Sequence, residues 1–423
     1  MISESQKEII NFAAIQTQRY SDKPVLKTYF ALFEKTPGYY LIKSNIKKIY
    51  ILKYFYTTLK YVFGIVNNKI SHVRTIKLNH YYKKIKFSWA FYNSFDENGV
   101  FHDKYLKTNN EDDFDVIWIL IYMDKKLPKK IGKNIFLFYK ENSLLQKTLF
   151  FLKFIFLALQ SKILTKKSSI RFDSFSALSY QMIEVINKEI EFDNISEVLI
   201  VYEGQPFQKD LIKYLRNKKL KNILGYDHSA PPPLPLNLFC DDYSPDTLLI
   251  TGKSQLEFYV KYLSWPSNRL KIIESFRFKS ENKDFYLNKI FLPYELSDKN
   301  VYLKSINYLC REPDLNFNKI TIRNHPLQTK SNNHLKLIDE MKASFETNSN
   351  ISKTDCKDFS IFFGQTTSVI VALDLGLTCY HVCPDPIFDS YNSELWKNIS
   401  VQKINSNLFK YTPKKLFTFL HKL

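Results

Sequence analysis

Three short strings in this chain combine residue types that bind phosphate or move protons. In Asp358-Phe-Ser-Ile-Phe-Phe-Gly-Gln-Thr-Thr-Ser, an apolar strand runs into Gly364 and Gln365, and Thr366, Thr367 and Ser368 open an apolar helix. Unpaired backbone N–H groups and the positive end of the helix dipole favour a phosphate there, and the hydroxyls add donors. Capping would account for one hydroxyl; three in succession after a glycine point to phosphate binding. In Thr321-Ile-Arg-Asn-His-Pro a strand ends, Arg323 and His325 project into the loop, and Pro326 stops further pairing. An imidazole and a guanidinium there can take up charge developing on a departing phosphate.

The third string is Val201-Tyr-Glu-Gly-Gln-Pro-Phe-Gln-Lys-Asp. Glu203 stands at the mouth of a strand, Gly204 permits a sharp turn, and Gln205 leads into a helix. A carboxylate so placed can take a proton from an acceptor hydroxyl, or it can simply cap the helix. The next strand ends in Gly225-Tyr-Asp-His-Ser, which puts Asp227 and His228 close to Glu203. A weaker group, Phe95-Asp-Glu-Asn-Gly-Val-Phe-His-Asp, offers Asp96, His102 and Asp103 on the acceptor side, or a turn held by Asp and Asn side chains.

These strings need a scaffold that delivers them to one place. From about residue 85, short apolar runs alternate with helical periodicity, the pattern of βα units and a parallel sheet. Strands are expected at Ile85–Phe91, Val116–Tyr122, Asn134–Tyr139, Val198–Tyr202 and Asn222–Gly225. The proline-rich run after Ser229 breaks regular structure and reads as a crossing between two domains. Alternation resumes with strands at Thr247–Thr251, Lys271–Ile273, Ile290–Leu292, Ile320–Ile322, Phe359–Phe363 and Thr378–Val382. Helices are expected at Gln255–Leu263, Asn300–Cys310, His334–Phe345 and Thr367–Leu375. Gly252 is expected to join the nucleotide-binding residues. The reading is therefore an α/β chain of two Rossmann-like domains, 1–245 and 246–411, closed by a helix over 412–423. The first 80 residues should supply helices and a strand to the first domain.

The bulk properties narrow the partners. The 423 residues carry a formal charge of +19, which calls for an anionic partner. No helix-turn-helix, RNA-binding or zinc-finger pattern directs that charge to nucleic acid. Five cysteines, few and odd in number, argue against a disulfide framework, and Cys379 and Cys383 read as buried thiols. The N-terminus lacks the blocks of a signal peptide, which predicts a cytoplasmic protein. The apolar segment 144–160 is interrupted by Gln146, Lys147 and Lys153 and is shorter than a bilayer span. It is either a helix in the membrane interface, touching the inner membrane peripherally, or a buried helix. No phosphate-binding P-loop and no Gly-x-Gly-x-x-Gly is present. No Asp-x-Asp or metal-binding His pair stands out, so no metal is expected, and no cofactor beyond a nucleotide-sugar co-substrate.

Glu203-Gly204, His325-Pro326 and Thr366-Thr367-Ser368 resemble, in order and spacing, the acidic-Gly, His-Pro and Ser/Thr motifs of GT-B glycosyltransferases that use CMP-activated sugars, the bacterial sialyltransferases and Kdo transferases. Tyr202-Glu-Gly-Gln-Pro-Phe, Gly225-Tyr-Asp-His-Ser and Gly364-Gln-Thr-Thr-Ser also look like a family of surface carbohydrate biosynthesis proteins, over most of the chain. The resemblance implies metal-independent transfer of a sugar to a capsule, lipopolysaccharide or other glycolipid acceptor, in a cleft between the two domains. It makes Glu203 the general base, His325 the group assisting the departing phosphate, and Thr366–Ser368 its binding site. Sialyltransferases usually carry two acidic residues before the glycine. Here the first is Tyr202, which leaves Asp103 or His228 as alternative bases. The readings left open are a CDP-polyol phosphotransferase of the teichoic-acid type, a nucleotide-sugar epimerase, and a non-catalytic organiser of polysaccharide assembly at the membrane.

Overall fold

The computed structural model describes the chain except residues 1, 20–42, 44–49, 65–68, 77–80, 114, 166–173, 279–281, 313–314, 316, 318–319, 326–327, 349–358 and 415–423. Two sheets organise it, as an α/β fold with two Rossmann-like halves requires. The first has eight strands in the order β1-β4-β3-β2-β5-β6-β7-β8, and all pairs are parallel except β1 with β4. The strands are β1 (Ile70–Arg74), β2 (Lys84–Ala90), β3 (Val116–Tyr122), β4 (Ile135–Lys140), β5 (Glu197–Val201), β6 (Ile223–Tyr226), β7 (Thr247–Thr251) and β8 (Leu270–Ile273). The second sheet runs β10-β9-β11-β12-β14-β13, from β9 (Lys289–Phe291), β10 (Thr321–Arg323), β11 (Phe359–Phe363), β12 (Thr378–Val382), β13 (Ile399–Lys403) and β14 (Leu408–Pro413). The central strands β3, β4 and β11 are near-continuous apolar runs because helices or loops cover both faces.

Sheet membership does not change at residue 245. Strands β7 and β8, which the sequence reading gives to the second half, complete the first sheet, and the chain crosses over after Ile273. The proline-rich run instead forms a ledge. Its prolines lack N–H groups but keep carbonyls that no ladder uses. Pro231 O accepts from the Tyr391 hydroxyl at 2.7 Å, and Pro233 O accepts from Trp396 Nε1 at 2.9 Å. Trp396 also stacks on Phe258 at 4.3 Å, so one apolar core runs from the first sheet into the second half.

The N-terminal helix α1 (Ile2–Arg19) likewise joins the second half, not the first. Gln6 Nε2 donates to Ile387 O and Ser390 O, both at 2.8 Å, at the end of a short helix over Pro386–Asp389. Ile9, Ile10 and Ala13 carry the apolar side of that contact. At the other end of the chain, residues 412 and 413 finish β14 and do not start a helix; the remainder of the expected 412–423 helix, from 415, lies outside the described residues.

Two further helices matter below: α2 (Tyr50–Phe63) and α3 (Leu144–Thr165), both packed on α4 (Ser174–Glu189). Among the described side chains of α3 only Phe150 and Phe154 are buried, while Leu145, Leu149, Leu152 and Phe156 are exposed. Over residues 144–156 the helix is thus not buried all round, and the side chains of 157–160 lie outside the described ones. Among the described residues no helix is long and apolar enough to cross a membrane.

Candidate active site

In an open α/β sheet, ligands bind at the carboxyl ends of strands flanking the point where strand order reverses. Both sheets have such a point. In the second it lies between β9 and β11, and in the first between β2 and β5.

At the second-sheet reversal a cavity of about 430 Å³ opens. The loop after β9 supplies Pro293 and Tyr294, the loop after β10 supplies Arg323, Asn324 and His325, and the loop after β11 supplies Gln365 to Ser368. Among the described residues that line it none is acidic, whereas Arg277, Arg323 and His325 all reach it. The Arg323 guanidinium is held 3.9 Å from the Phe285 ring centre, with its charge turned toward the cavity wall. His325 packs edge-on to Tyr294 at 5.3 Å. Its backbone N–H donates to Asn324 Oδ1 and its carbonyl accepts from the Gln328 N–H, each at 2.8 Å. Burial, with His334 nearby, holds the His325 imidazole below its usual pKa. It therefore presents one N–H donor and one acceptor at neutral pH. Pro326 lies outside the described residues.

The loop after β11 is tight because Gly364 sits at φ +60°, and a Cβ there would come 3.0 Å from the Tyr302 hydroxyl. The helix over Ser368–Asp374 has seven residues, too few for a strong dipole, and Thr367 makes no side-chain cap. Thr366 Oγ1 accepts from the Ser368 N–H at 3.3 Å, so one hydroxyl does local work and the Thr367 and Ser368 hydroxyls line the cavity.

The first-sheet reversal assembles a Glu–His pair. Glu203 follows β5, and its Oε1 lies 3.3 Å from His228 Nε2, which follows β6. Gln205 Nε2 donates to the other carboxylate oxygen. Gln208 Oε1 accepts the Glu203 and Gln205 N–H groups at 3.0 and 3.1 Å, so this string wraps its own turn. Gly204 is obligatory: φ is +66°, and a Cβ would meet Asn237 O at 2.1 Å. The Glu203 side chain keeps 27% of its surface accessible although it lies deep among neighbouring atoms. Burial raises its pKa, opposed by the Gln205 hydrogen bond and by Arg277.

His228 is buried, which pushes its pKa down to about 3, and its Nδ1 has no hydrogen-bond partner. Tyr105 stands edge-on to it at 4.4 Å, with a hydroxyl pushed up to about 12 mainly by burial. Asp227 is displaced from the pair: it accepts from the Tyr259 hydroxyl, and burial raises it to about 7. It acts as a buried support, not a surface contact for an acceptor.

Asp103 also turns inward. Its Oδ1 accepts from the Tyr105 and Leu106 N–H groups at 2.6 and 2.7 Å, and so fixes the turn that aims Tyr105 at His228. Asp96 accepts from the Asn98 and Val100 N–H groups at 2.9 and 2.8 Å, the turn alternative for that string. His102 is exposed, 3.9 Å from Asp96. Gly252, at φ +92°, ends β7 in the first sheet, away from the cavity lining. The sequence's single Asp-x-Asp, Asp113 and Asp115, precedes β3 at the opposite strand end, where Lys86 engages Asp113 at 2.5 Å. Among the described residues no cluster of three His, Cys, Asp or Glu could hold a metal ion.

Sequence reasoning missed Arg277. It lies in the loop after β8, lines the cavity of the second sheet, and stands 5.7 Å from the Tyr105 ring of the first. Its charge also lowers the pKa of Glu203 and His228. A basic residue just past a strand's carboxyl end was the available signal. Cys379 and Cys383 are buried free thiols, as the sequence indicated.

Fold and site thus define an α/β protein with two strand-end crevices, one cationic and one carrying a Glu–His pair, joined by Arg277. No protein-family model and no curated protein matches the chain. Among solved structures, a glycosyltransferase from Rickettsia africae ESF-5 is similar over 72% of this chain and 85% of its own, at 9% identity and a TM-score of 0.32, a likeness too slight to carry an argument about activity.

Proposed function

We propose that the protein is a glycosyltransferase that takes a nucleotide-activated sugar, in the finer reading a CMP-activated acidic sugar, and transfers it to a surface-glycan or glycolipid hydroxyl. The observation that carries this reading is the pairing of a cationic cavity, with no acidic residue among its described lining, with a carboxylate–imidazole pair whose imidazole is buried, across one guanidinium. A cavity of this size suits a nucleotide, and its aromatic wall of Phe285, Tyr286 and Phe291 suits a base.

In the proposed step the acceptor oxygen bonds to the anomeric carbon as that carbon's bond to the phosphate oxygen breaks. The acceptor proton passes to the Glu203–His228 pair. The electron pair leaves on the phosphate, where Arg323, Arg277, His325 and the Thr367 and Ser368 hydroxyls offset its charge. Fixed donors aimed at that charge lower the barrier without reorganising during the reaction. Raising the Glu203 pKa toward neutrality makes its ionised form a stronger base.

Thermal shifts with CMP, UDP and GDP, followed by turnover of the stabilising donor, test the proposal. Selective stabilisation by CMP and loss of turnover in Glu203→Gln, with nucleotide affinity kept, are expected. Stabilisation by UDP alone overturns the CMP-sugar reading. Transfer of a polyol phosphate, turnover without acceptor, or unchanged surface polysaccharide in cells carrying both Glu203→Ala and His325→Ala overturns glycosyl transfer.

A further inference from the structure

We infer that helices α2 and α3 form a two-part docking face for an anionic phospholipid bilayer. Each helix leans on α4 and leaves an apolar stripe unpartnered. On α3 the stripe is Leu145, Leu149, Leu152 and Phe156, spaced by three or four residues so that all four share one face, with exposures from 57% to 70%. On α2 it is Leu52, Phe55, Tyr56 and Leu59, at 56% to 73%. Large apolar side chains exposed singly are ordinary, but contiguous stripes of this kind mark interaction surfaces.

The charge on these helices selects the occupant. α2 carries Lys53 and Lys60, the described side chains of α3 include Lys147 and Lys153, and neither helix sequence contains an Asp or Glu. A protein partner's interface is ordinarily rimmed by charges of both signs. A rim of lysines alone is complementary to a layer of phosphate headgroups, with lysine stems reaching past the apolar stripe. Lys53 and Lys60 on α2 and Lys153 on α3 each stand roughly a quarter turn from their helix's apolar stripe, so cations border the stripes of both helices. Lys53 and Lys60 are the main headgroup contacts; Lys153 flanks the α3 stripe but is partly offset by Glu184 of α4, and Lys147 lies on the side of α3 that carries the buried Phe150 and Phe154. Among the described residues neither helix is long and apolar enough to cross a membrane, and the mode inferred is interfacial.

The test is flotation of the full-length protein with vesicles of phosphatidylcholine alone or mixed with phosphatidylglycerol. Binding to the mixed vesicles only is expected, weakening with salt. Lys53→Gln and Lys60→Gln should each reduce affinity about fivefold, whereas Lys147→Gln, on the α4-facing side of α3, should leave it unchanged. The triple variants Leu149→Ser/Leu152→Ser/Phe156→Ser and Leu52→Ser/Phe55→Ser/Leu59→Ser should each abolish flotation while leaving the thermal midpoint unchanged, because the side chains are already exposed. The lysine variants keep the test decisive if a serine set fails to fold. No binding to mixed vesicles, full binding by the serine sets, or a wild-type dimer in light scattering that the serine sets dissociate would overturn the inference. The last result would make a second copy the occupant. None of these outcomes depends on nucleotide binding.

Discussion

Asp227 and His228 are neighbours in sequence, both buried, and shifted so that their effects on stability oppose each other. His228 has an ordinary value of 6.5 and sits at about 3 in the fold. Between those values the unfolded chain binds a proton that the native chain refuses, so stability falls as pH drops through 6.5. Asp227 has an ordinary value of 3.8 and sits at about 7. Between those values the native chain holds a proton that the unfolded chain has released, so stability rises as pH drops through 7. From about pH 7.5 to about pH 4.5 each term amounts to about 3 kcal/mol, with opposite signs. In the wild type they nearly cancel.

Substitution should unmask them. His228→Gln keeps a donor for Glu203 but cannot take up the proton, so acidification should stabilise it by about 3 kcal/mol relative to wild type. Asp227→Asn keeps an acceptor for Tyr259 but cannot ionise, so acidification should destabilise it by a similar amount. Urea unfolding of the three proteins across that pH range measures the difference, and titrations elsewhere in the chain cancel in the comparison. If both variants run parallel to wild type, these two groups do not titrate as the buried geometry requires, and the electrostatic account of the Glu203 crevice fails with them.

Two further outcomes follow from the same geometry. Gly204→Ala should cost at least about 2 kcal/mol in thermal or urea unfolding, because its Cβ would overlap the Asn237 carbonyl. Gly376→Ala, at φ +80° but with nothing within 4 Å, is the control and should cost less. Arg277→Met should weaken nucleotide binding about 10- to 100-fold by calorimetry, the size of a lost charge-assisted contact. Because Arg277 also lowers the Glu203 pKa, the acid limb of the pH–rate profile should move to higher pH. Weaker binding with an unmoved limb would show that Arg277 does not link the two crevices.

Much of the scaffold was legible because local physics decides it. Val116–Tyr122, Thr247–Thr251, Phe359–Phe363 and Thr378–Val382 are strands as read, since each is an apolar, β-branched or aromatic run closed by polar or turn residues. The strings at Glu203, Arg323 and Gly364 stand at strand carboxyl ends because glycine and polar residues stop pairing there. The β13–β14 hairpin escaped notice because it breaks the βα rhythm that located the other strands. The exposed face of α3 could not be read either, since an apolar helix looks the same in sequence whether buried or bare.

The sequence by itself determined which residues end strands, where glycine must admit a positive φ, and that the chain alternates strand and helix. These depend on neighbours within a few positions. Only the tertiary structure decided strand order, because pairing partners are chosen by long-range packing. That order sends β7 and β8 to the first sheet, sets both reversal points, and returns α1 to the second half. It also turns Asp103 and Asp227 inward and brings Arg277 from an unremarked loop to the junction of the two crevices. Distances between strand ends far apart in the chain follow from the order of a sheet, and no local pattern contains that order.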